Sequence, residues 1–287
     1  MLMLDQVTVR YGDQVALDLQ SKIQIADGDI VGIIGRNGAG KSTLIKALTD
    51  QVAYTGQIDK PADIAVHLQE NHYPDTVTCQ TILEGLLQTT YRRDQKLQAL
   101  VAFFEFAPLL KRKFQQLSGG QQQRLTIMMV LYQDAALTCF DELSTGLDFE
   151  TRQQLMGKIK AWYAEKPATI LMITHYFDEL EALANQLLII EQGKMLAYGP
   201  TTALFQEYVG AAAVIVAAPK LDLVLPVGAR QIAGESGTTA IGCDSPNTQQ
   251  AVIALLNQAG VAFTATRLNL TLIYLNVLAL QQTVKAG

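Results

Sequence analysis

The sequence predicts an α/β protein built on a mostly parallel β-sheet, and three observations favour this class. Strand-like apolar runs alternate with segments whose apolar residues recur at helical spacing. A glycine-rich segment, residues 35–42, lies between one such run and one such helix. Of the 287 residues 49% are apolar and 17% are charged, which is typical of a folded globular chain and not of a disordered one.

The first elements predict a β-rich entry followed by a βαβ-like unit. Short strand-like runs at 6–10, 21–25 and 30–34 are separated by glycine and aspartate turns. Helical spacing over 41–50 and an apolar run at 64–68 then follow the glycine-rich segment. Strand, loop, helix and strand in this order are typical of a βαβ unit.

A helical insertion is predicted over about 76–134, because apolar residues recur at helical intervals there with basic residues among them. Strands and helices then alternate again, which implies a mostly parallel sheet and a main domain over 1–210. The predicted elements are a strand at 135–140, a helix at 149–164, a strand at 169–174, a helix at 177–185 and a strand at 186–191.

A small α+β domain is predicted over 220–287, after an Ala/Val-rich stretch at 211–219 that ends in a proline and indicates a junction. Its strands and helices follow from the spacing of apolar residues. The expected order is a strand at 221–227, a strand at 238–243, a helix at 248–259, a strand at 261–266 and a helix at 270–280.

Composition disfavours several functions and locations. The net charge of −5 provides no broad basic surface for nucleic acid. Cys79, Cys139 and Cys243 lack metal-ligand spacing and suit free thiols in a reducing compartment. The longest apolar run, 209–218, is about half the roughly 20 residues that a membrane helix needs, and the N-terminal residues do not resemble a secretory signal. We therefore expect a cytoplasmic protein, and if it serves a membrane, another chain must cross that membrane.

The segment from Gly35 to Ser42 fits the P-loop pattern G-x-x-x-x-G-K-[ST] between a strand and a helix. Its glycines let backbone N–H groups point at phosphate oxygens, while Lys41 reaches the β and γ phosphates and Ser42 coordinates Mg²⁺. The predicted phosphate-binding residues are Gly35, Asn37, Gly38, Ala39, Gly40, Lys41, Ser42 and Thr43. Because kinases, GTPases and ATPases share the P-loop, this motif predicts nucleotide binding and leaves the output open.

Asp141 and Glu142 stand side by side at the end of the strand-like run 135–140. Neighbouring side chains of an extended strand point to opposite faces, so the two carboxylates can have separate tasks. We expect Asp141 to hold Mg²⁺ and Glu142 to act as the general base for an attacking water. The alternative is a solvated strand end without function.

The segment Leu117-Ser-Gly-Gly-Gln121 contains a serine followed by two glycines. Ser118 can cap a helix that starts at Gly119 and Gly120, which leaves backbone N–H groups and a positive helix end to face an anion. An ordinary capped helix is the alternative.

With this segment the sequence resembles the nucleotide-binding subunits of ABC transporters, whose L-S-G-G-Q signature is present in full. The resemblance covers residues 1 to about 210 and implies a P-loop NTPase cassette with a RecA-like core, a β-rich N-terminal subdomain and a helical insertion. Four further family positions occur in the expected order: Tyr11 as the adenine-stacking aromatic, Gln69 in the Q-loop, Asp148 in the D-loop and His175 as the switch histidine. Alone, each has a plain alternative, namely a surface aromatic, a loop amide, a helix cap and a strand-end histidine.

The resemblance also implies a mechanism. Two copies of the chain sandwich ATP, so that Ser118, Gly119 and Gly120 of one copy face the P-loop of the other, with Asp148 beside them. The catalytic residues would be Lys41, Gln69, Glu142 and His175, and the Mg²⁺ ligands Ser42, Gln69 and Asp141. Gln69 would connect the nucleotide to a groove beside the helical insertion, where an integral membrane permease docks on the cytoplasmic face. His67 and His72 are interpreted as structural.

Two departures from the family pattern concern the strand end. Leu143 replaces the usual proline after the Asp-Glu pair, and the preceding strand contains Thr138 and Cys139. Neither departure removes a catalytic group, so hydrolytic competence is expected.

The run Thr174–Asn185 and the following segment to Gly199 resemble the drug-export, daunorubicin-resistance-like branch of the family, which often carries a small C-terminal domain. The competing class is a soluble ABC ATPase of translation or DNA repair. One cassette, no heptad run and no cysteine cluster disfavour that class. A third interpretation, a small-molecule sensor in 220–287, has no binding constellation in the sequence to support it.

Overall fold

The computed structural model describes residues 1–67, 73–74, 76–164, 166 and 168–286, and for 283–286 it describes the helix without the side chains. Gln69 and His72 lie outside the described residues. Within the described part of the chain, a large sheet and a smaller one are covered by nine α-helices. The predicted α/β class and P-loop cassette architecture are confirmed.

The large sheet has a parallel part and an antiparallel part. Its order is β3-β1-β2-β10-β9-β4-β8-β7-β6, with β5 paired to β1. The strands are β1 (Leu2–Tyr11), β2 (Gln14–Leu19), β3 (Ile23–Ile25), β4 (Ile30–Ile34), β5 (Tyr54–Asp59), β6 (Ile64–His67), β7 (Leu137–Asp141), β8 (Thr169–Ile173), β9 (Gln186–Glu191) and β10 (Lys194–Pro200). The run β9-β4-β8-β7-β6 is parallel, whereas the N-terminal strands pair antiparallel around β1.

Helices cover both faces of the parallel strands, and α8 packs against the smaller sheet. The described helices are α1 (Lys41–Leu48), α2 (Cys79–Leu86), α3 (Gln95–Phe103), α4 (Gly119–Tyr132), α5 (Phe149–Tyr163), α6 (Phe177–Leu183), α7 (Thr201–Tyr208), α8 (Pro246–Gln258) and α9 (Leu270–Ala286). Strand β8 is buried along its whole length, with Ile170 and Met172 on the side of α4 and α5, and Leu171 and Ile173 on the side of α1. Burial on both faces explains the continuous apolar run of this strand.

The smaller sheet is antiparallel, in the order β12-β13-β11-β14. Its strands are β11 (Ala212–Val216), β12 (Ala229–Ile232), β13 (Thr239–Cys243) and β14 (Phe263–Thr266). Strand β11 is central, so the sheet begins inside the stretch 211–219 for which a junction is predicted. The strand predicted at 221–227 is wrong: Val224 and Val227 are exposed, and the prolines at 219 and 226 lack the N–H that a ladder needs.

Helix α9 connects the C-terminal region to the main domain. Leu270, Ile273 and Val277 belong to the same buried cluster as residues of α4, α5 and α7. The backbone N–H of Leu270 donates to Glu181 Oε1 at 2.8 Å, and the ring of Phe177 lies 5.8 Å from that of Tyr274. The last helix is therefore packed against α6, just beyond the end of β8.

A search of the described helices for a membrane span finds none that combines the necessary length and apolarity.

Candidate functional site

The P-loop connects the end of β4 to the start of α1, as predicted. Gly35 has φ 155° and Gly40 has φ 106°, both in the region that favours glycine. A Cβ atom on Gly35 would lie 1.9 Å from the Ile190 carbonyl oxygen, and one on Gly40 would lie 2.7 Å from that of Ala16. These two positions therefore require glycine, because the loop passes directly against neighbouring backbone.

Lys41, the first residue of α1, turns its amine back over the loop. Its Nζ donates to the carbonyl oxygens of Gly35 at 2.7 Å and Arg36 at 3.1 Å, and the residue is only 6% exposed. Burial lowers the pKa of Lys41, and the nearby carboxylates of Glu142 and Asp141 oppose that shift. The amine is thus held against the backbone of the P-loop, with the carboxylates of Glu142 and Asp141 nearby.

Asp141 ends β7 and shares a hydrogen bond with the hydroxyl of Ser42. Burial raises the pKa of Asp141 above its usual range, while the Ser42 bond and Lys41 lower it in part. These two hard oxygen donors fit Mg²⁺, which usually takes one or two protein oxygens and completes its shell with phosphate and water. The described residues contain no cluster of three or more His, Cys, Asp or Glu that could enclose a metal by itself.

Glu142 and His175 meet at the ends of neighbouring strands β7 and β8. The distance from His175 Nε2 to Glu142 Oε1 is 2.8 Å. The Glu142 N–H donates to the Ile173 carbonyl oxygen at 2.9 Å, and the Thr145 hydroxyl donates to Glu142 Oε2 at 3.2 Å. The carboxylate is therefore oriented by groups from both strand ends.

The departure at Leu143 has a structural counterpart. Glu142 has φ 50°, a left-handed conformation that is uncommon for residues other than glycine. A proline at 143 would favour an extended conformation at Glu142, whereas Leu143 imposes no such restriction and is itself buried. The loop after β7 thus adopts a turn that its sequence permits.

Most of the predicted phosphate and catalytic residues line one cavity of about 720 Å³. Residues 37–43 form one wall, and Glu142 and His175 form another. The cavity also has a wall that the sequence did not predict: Gln14, Val15, Ala16, Gln192 and Gly193. These belong to the β1–β2 hairpin and the β9–β10 turn, where glycines at 12 and 193 indicate turns but not proximity to the P-loop.

Tyr11 lies near this cavity without lining it. It is 48% exposed at the end of β1 and pairs in register with Gln14, a cavity residue. Its role as the adenine-stacking ring stays a prediction.

The signature segment lies outside the cavity. Ser118 is exposed and caps α4: its Oγ accepts from the Gln121 N–H at 3.4 Å, and Gln121 Oε1 accepts from the Ser118 N–H at 3.1 Å. A Cβ atom on Gly120 would meet Thr151 Cγ2 at 2.6 Å, so the start of α4 lies against α5. The capped helix that was the plain alternative is present, and it leaves the helix start accessible.

Asp148 likewise forms the N-cap of α5. Its carboxylate accepts from the Thr151 N–H at 3.0 Å and from the Thr151 hydroxyl at 2.7 Å, and these bonds lower its pKa. Neither Asp148 nor Ser118 is among the cavity residues. Their roles in nucleotide binding stay predictions, as does that of Gln69, which lies outside the described residues.

His67 is buried at the end of β6, and its Nε2 lies 3.0 Å from both Gln123 Oε1 and Thr126 Oγ1 of α4. Burial lowers its pKa to about 4, so the ring is neutral at pH 7. The histidine therefore serves packing between β6 and α4.

Comparison with known proteins identifies the family. The sequence profile of the ABC transporter family matches residues 20–145. The thiamine import ATP-binding protein ThiQ of Haemophilus ducreyi is 33% identical over 193 residues, which are 61% of this chain and 90% of ThiQ. The Nod factor export ATP-binding protein I of Mesorhizobium japonicum is 26% identical over 293 residues, which are 94% of this chain and 84% of that protein.

Solved structures agree on the fold. An ATP-binding subunit of an ABC transporter aligns with a TM-score of 0.64 at 21% identity, over 72% of this chain and 93% of that one. A dimeric bacterial ABC transporter cassette aligns with a TM-score of 0.61 at 22% identity, over 70% of this chain and 98% of that one. The 33% identity to ThiQ over 90% of that protein, in agreement with the family profile, shows that the chain belongs to the ABC transporter family as an ATP-binding subunit with ATPase activity.

Proposed function

We propose that this chain is the ATPase subunit of an ABC exporter, which binds Mg-ATP, pairs with a second copy of itself and drives a separate membrane permease. The observation that carries the proposal is the convergence of Lys41, Asp141, Glu142 and His175 on one side of the cassette, while the capped start of α4 is exposed outside the cavity.

Nucleotide binding would use the P-loop backbone and Lys41. The amine exchanges its bonds to the carbonyl oxygens of Gly35 and Arg36 for bonds to the β and γ phosphates. Ser42 and Asp141 would hold Mg²⁺, which neutralises charge on the phosphates. A divalent cation there would also reverse the rise in the pKa of Asp141, because it favours the ionised carboxylate.

Hydrolysis would use Glu142 as the base that polarises water and His175 as its partner. A carboxylate can accept a proton from water, and an imidazole within hydrogen-bond distance can hold that carboxylate in a fixed orientation. The Ile173 carbonyl and the Thr145 hydroxyl restrict where Glu142 can move. This site lacks a serine-capped helix N-terminus of its own, because Ser118 is not part of the cavity.

A second copy would provide that missing helix N-terminus. Ser118 and Gly119 are exposed, and the positive end of α4 suits an anion such as a γ-phosphate. Similarity to a structure described as a dimeric cassette is consistent with such pairing. Because each γ-phosphate would be held by two chains, its removal would release them.

The permease would dock in a groove of about 830 Å³ between the edge strand β6 and helices α2, α3 and α4. Ile64 and Val66 line one side, and Met129 and Leu86 line the other. Leu86, at the end of α2, is 58% exposed and adds to the apolar lining of the groove. The groove could therefore take an apolar segment of a membrane partner, on the cytoplasmic face.

The assignment as an exporter rests on the share of this chain that aligns with each relative. Nod factor export proteins from Mesorhizobium japonicum and Cupriavidus pinatubonensis align with 94% and 96% of this chain, so their similarity extends over the C-terminal region. The thiamine import protein aligns with only 61%. The relatives named here are transporter subunits, and no observation favours a soluble role in translation or DNA repair.

The test is Glu142→Gln, with Glu235→Gln on an exposed loop as the matched control. With Mg-ATP the Glu142→Gln protein should retain nucleotide affinity, lose at least about 100-fold in hydrolysis, and accumulate as a dimer in light scattering. The control should hydrolyse at the parental rate and return to monomer. Parental hydrolysis by Glu142→Gln, or a monomer with ATP bound, would refute the proposal.

A second measurement tests the membrane partner and the direction of transport. The chain should co-purify from membranes with a polytopic protein, and cells that express both should accumulate less of a fluorescent amphipathic drug than cells with the Glu142→Gln variant. Recovery in ribosome or DNA fractions alone would favour the soluble alternative.

A further inference from the structure

A buried polar cluster lies directly behind the Glu142–His175 pair, and its centre is Glu179. This residue is on α6, four positions after His175, and only 2% of it is exposed. Burying a carboxylate is costly unless its oxygens are bonded and its charge is compensated. The contacts of Glu179 therefore show which groups stabilise the buried carboxylate.

Its two oxygens bond to two different segments of the site. Glu179 Oε1 accepts from the Ser144 hydroxyl at 2.5 Å, and Oε2 accepts from the Thr174 hydroxyl at 2.9 Å. Ser144 is two residues after Glu142, and Thr174 immediately precedes His175. One carboxylate thus connects the two segments that carry the pair.

Arg152 compensates the charge. Its Nη1 lies 3.7 Å from Glu179 Oε1, and its guanidinium lies 3.7 Å from the centre of the Tyr176 ring, so an aromatic residue next to His175 also holds it in place. Arg152 follows Asp148, the N-cap of α5, by one helical turn. The cluster therefore also fixes the loop between β7 and α5.

We propose that Glu179 is a positioning residue that holds Glu142 and His175 at hydrogen-bond distance by tying Ser144 to Thr174. This inference rests on the proposed function, in which Glu142 is the base. Misplacement of a reacting group by about 1 Å can cost about 100-fold in rate without any change in substrate binding. Glu179 should accordingly affect turnover and not nucleotide affinity.

The experiment compares Glu179→Ala with Glu207→Gln, an exposed carboxylate on α7 that is not part of the cluster. Glu179→Ala should lower kcat about 10- to 100-fold, with KM and the affinity for a fluorescent ATP analogue within about twofold of the parent. Glu207→Gln should leave both unchanged. An unchanged kcat in Glu179→Ala, or equal losses in kcat and affinity, would overturn the inference.

A double mutant separates positioning from general destabilisation. If Glu179 acts through Glu142, adding Glu179→Ala to Glu142→Gln should not lower the residual hydrolysis further. A further loss of the same size as in the parent would show a separate structural role. Should Glu142→Gln itself hydrolyse normally, the proposed function fails first, which distinguishes the two failures.

Single hydroxyl deletions cover the case in which Glu179→Ala does not fold. Ser144→Ala and Thr174→Val each remove one bond to Glu179 and leave the carboxylate with the other. Thr174→Val also removes the hydroxyl that accepts from the Tyr176 N–H at 3.0 Å, so Ser144→Ala is the cleaner of the two. Each should lower kcat about threefold to tenfold at unchanged ATP affinity, and parental kcat in both variants would overturn the inference.

Discussion

The P-loop side and the signature side of the cassette differ in how much of a site a single chain completes. On the P-loop side, the loop after β4, the start of α1 and the residues that follow β7 and β8 converge on one cavity. On the signature side, Ser118 and Asp148 form ordinary helix caps, and neither borders that cavity. Under the proposed function, one chain would suffice to bind a nucleotide, whereas hydrolysis would need the signature side of another.

Lys41→Ala should have the largest effect, because it removes the charged group at the centre of the completed side. We expect ATP affinity to fall at least about 100-fold, or about 3 kcal/mol, in a titration with a fluorescent ATP analogue. Lys22→Ala, at an exposed position, is the matched control and should bind normally. Binding by Lys41→Ala within a few-fold of the parent would remove the amine from the phosphate site.

Ser118→Asp tests the incomplete side. Aspartate caps a helix as well as serine does, so thermal stability should change little, but its negative charge would face the γ-phosphate held by the other copy. ATP binding to the monomer should stay within about twofold, while hydrolysis and ATP-dependent dimerisation fall about 10- to 100-fold.

Two comparisons control this substitution. Ser236→Asp, on an exposed loop, should behave like the parent in every assay. Ser118→Asp hydrolysing at the parental rate would show that the start of α4 faces no phosphate.

Lowering the pH should destabilise the fold through His67, which packs between β6 and α4. His67 has its pKa lowered to about 4, so between that value and the usual 6.5 the unfolded chain binds more protons than the folded one. Stability should therefore be complete near pH 7 and fall as the pH drops, by about 2 kcal/mol at pH 5. Urea unfolding at both pH values measures this loss.

The matched variant is His67→Gln, which has no proton to gain in this range and offers a polar side chain to Gln123 and Thr126. It should reduce the difference between pH 7 and pH 5 by that amount. An identical pH dependence in the variant and the parent would contradict the assignment to His67.

Tyr11→Ala should have the smallest effect, since the ring is half-exposed at the margin of the cavity. Loss of stacking on adenine should weaken ATP binding about threefold to tenfold, or about 1 kcal/mol. Tyr11→Phe retains a ring and should bind like the parent. Equal affinities in all three proteins would leave Tyr11 without a role in binding.

The sequence was sufficient where function depends on local pattern. The P-loop spacing, the carboxylates after β7 and the buried parallel strands each have a local signal, and the structure places them as expected. The glycine at 193 indicates a turn, but nothing in the sequence indicates that the backbone of Ala16 and Gly193 lies against the P-loop, because backbone contacts leave little trace in residue type.

Tertiary contacts explain the other differences between the sequence predictions and the structure. Strand β11 was predicted as a junction because its small residues fit a linker, yet pairing on both edges makes it the centre of its sheet. The bond of Ser144 to Glu179 joins positions 35 residues apart, which no spacing rule would connect. Such contacts require the folded arrangement of β7, β8 and α6.

The start of α9 determines whether a truncated chain can be used in assays, because it packs against the main domain. Glu181 accepts the Leu270 N–H, and Phe177 contacts Tyr274 only two residues from His175. Trimming the chain before α9 would uncover apolar surface on α7 and leave the Glu181 carboxylate without that donor. A shortened protein would accordingly be a poor substitute for the full chain in enzymology, since the cut would disturb the segment that follows His175.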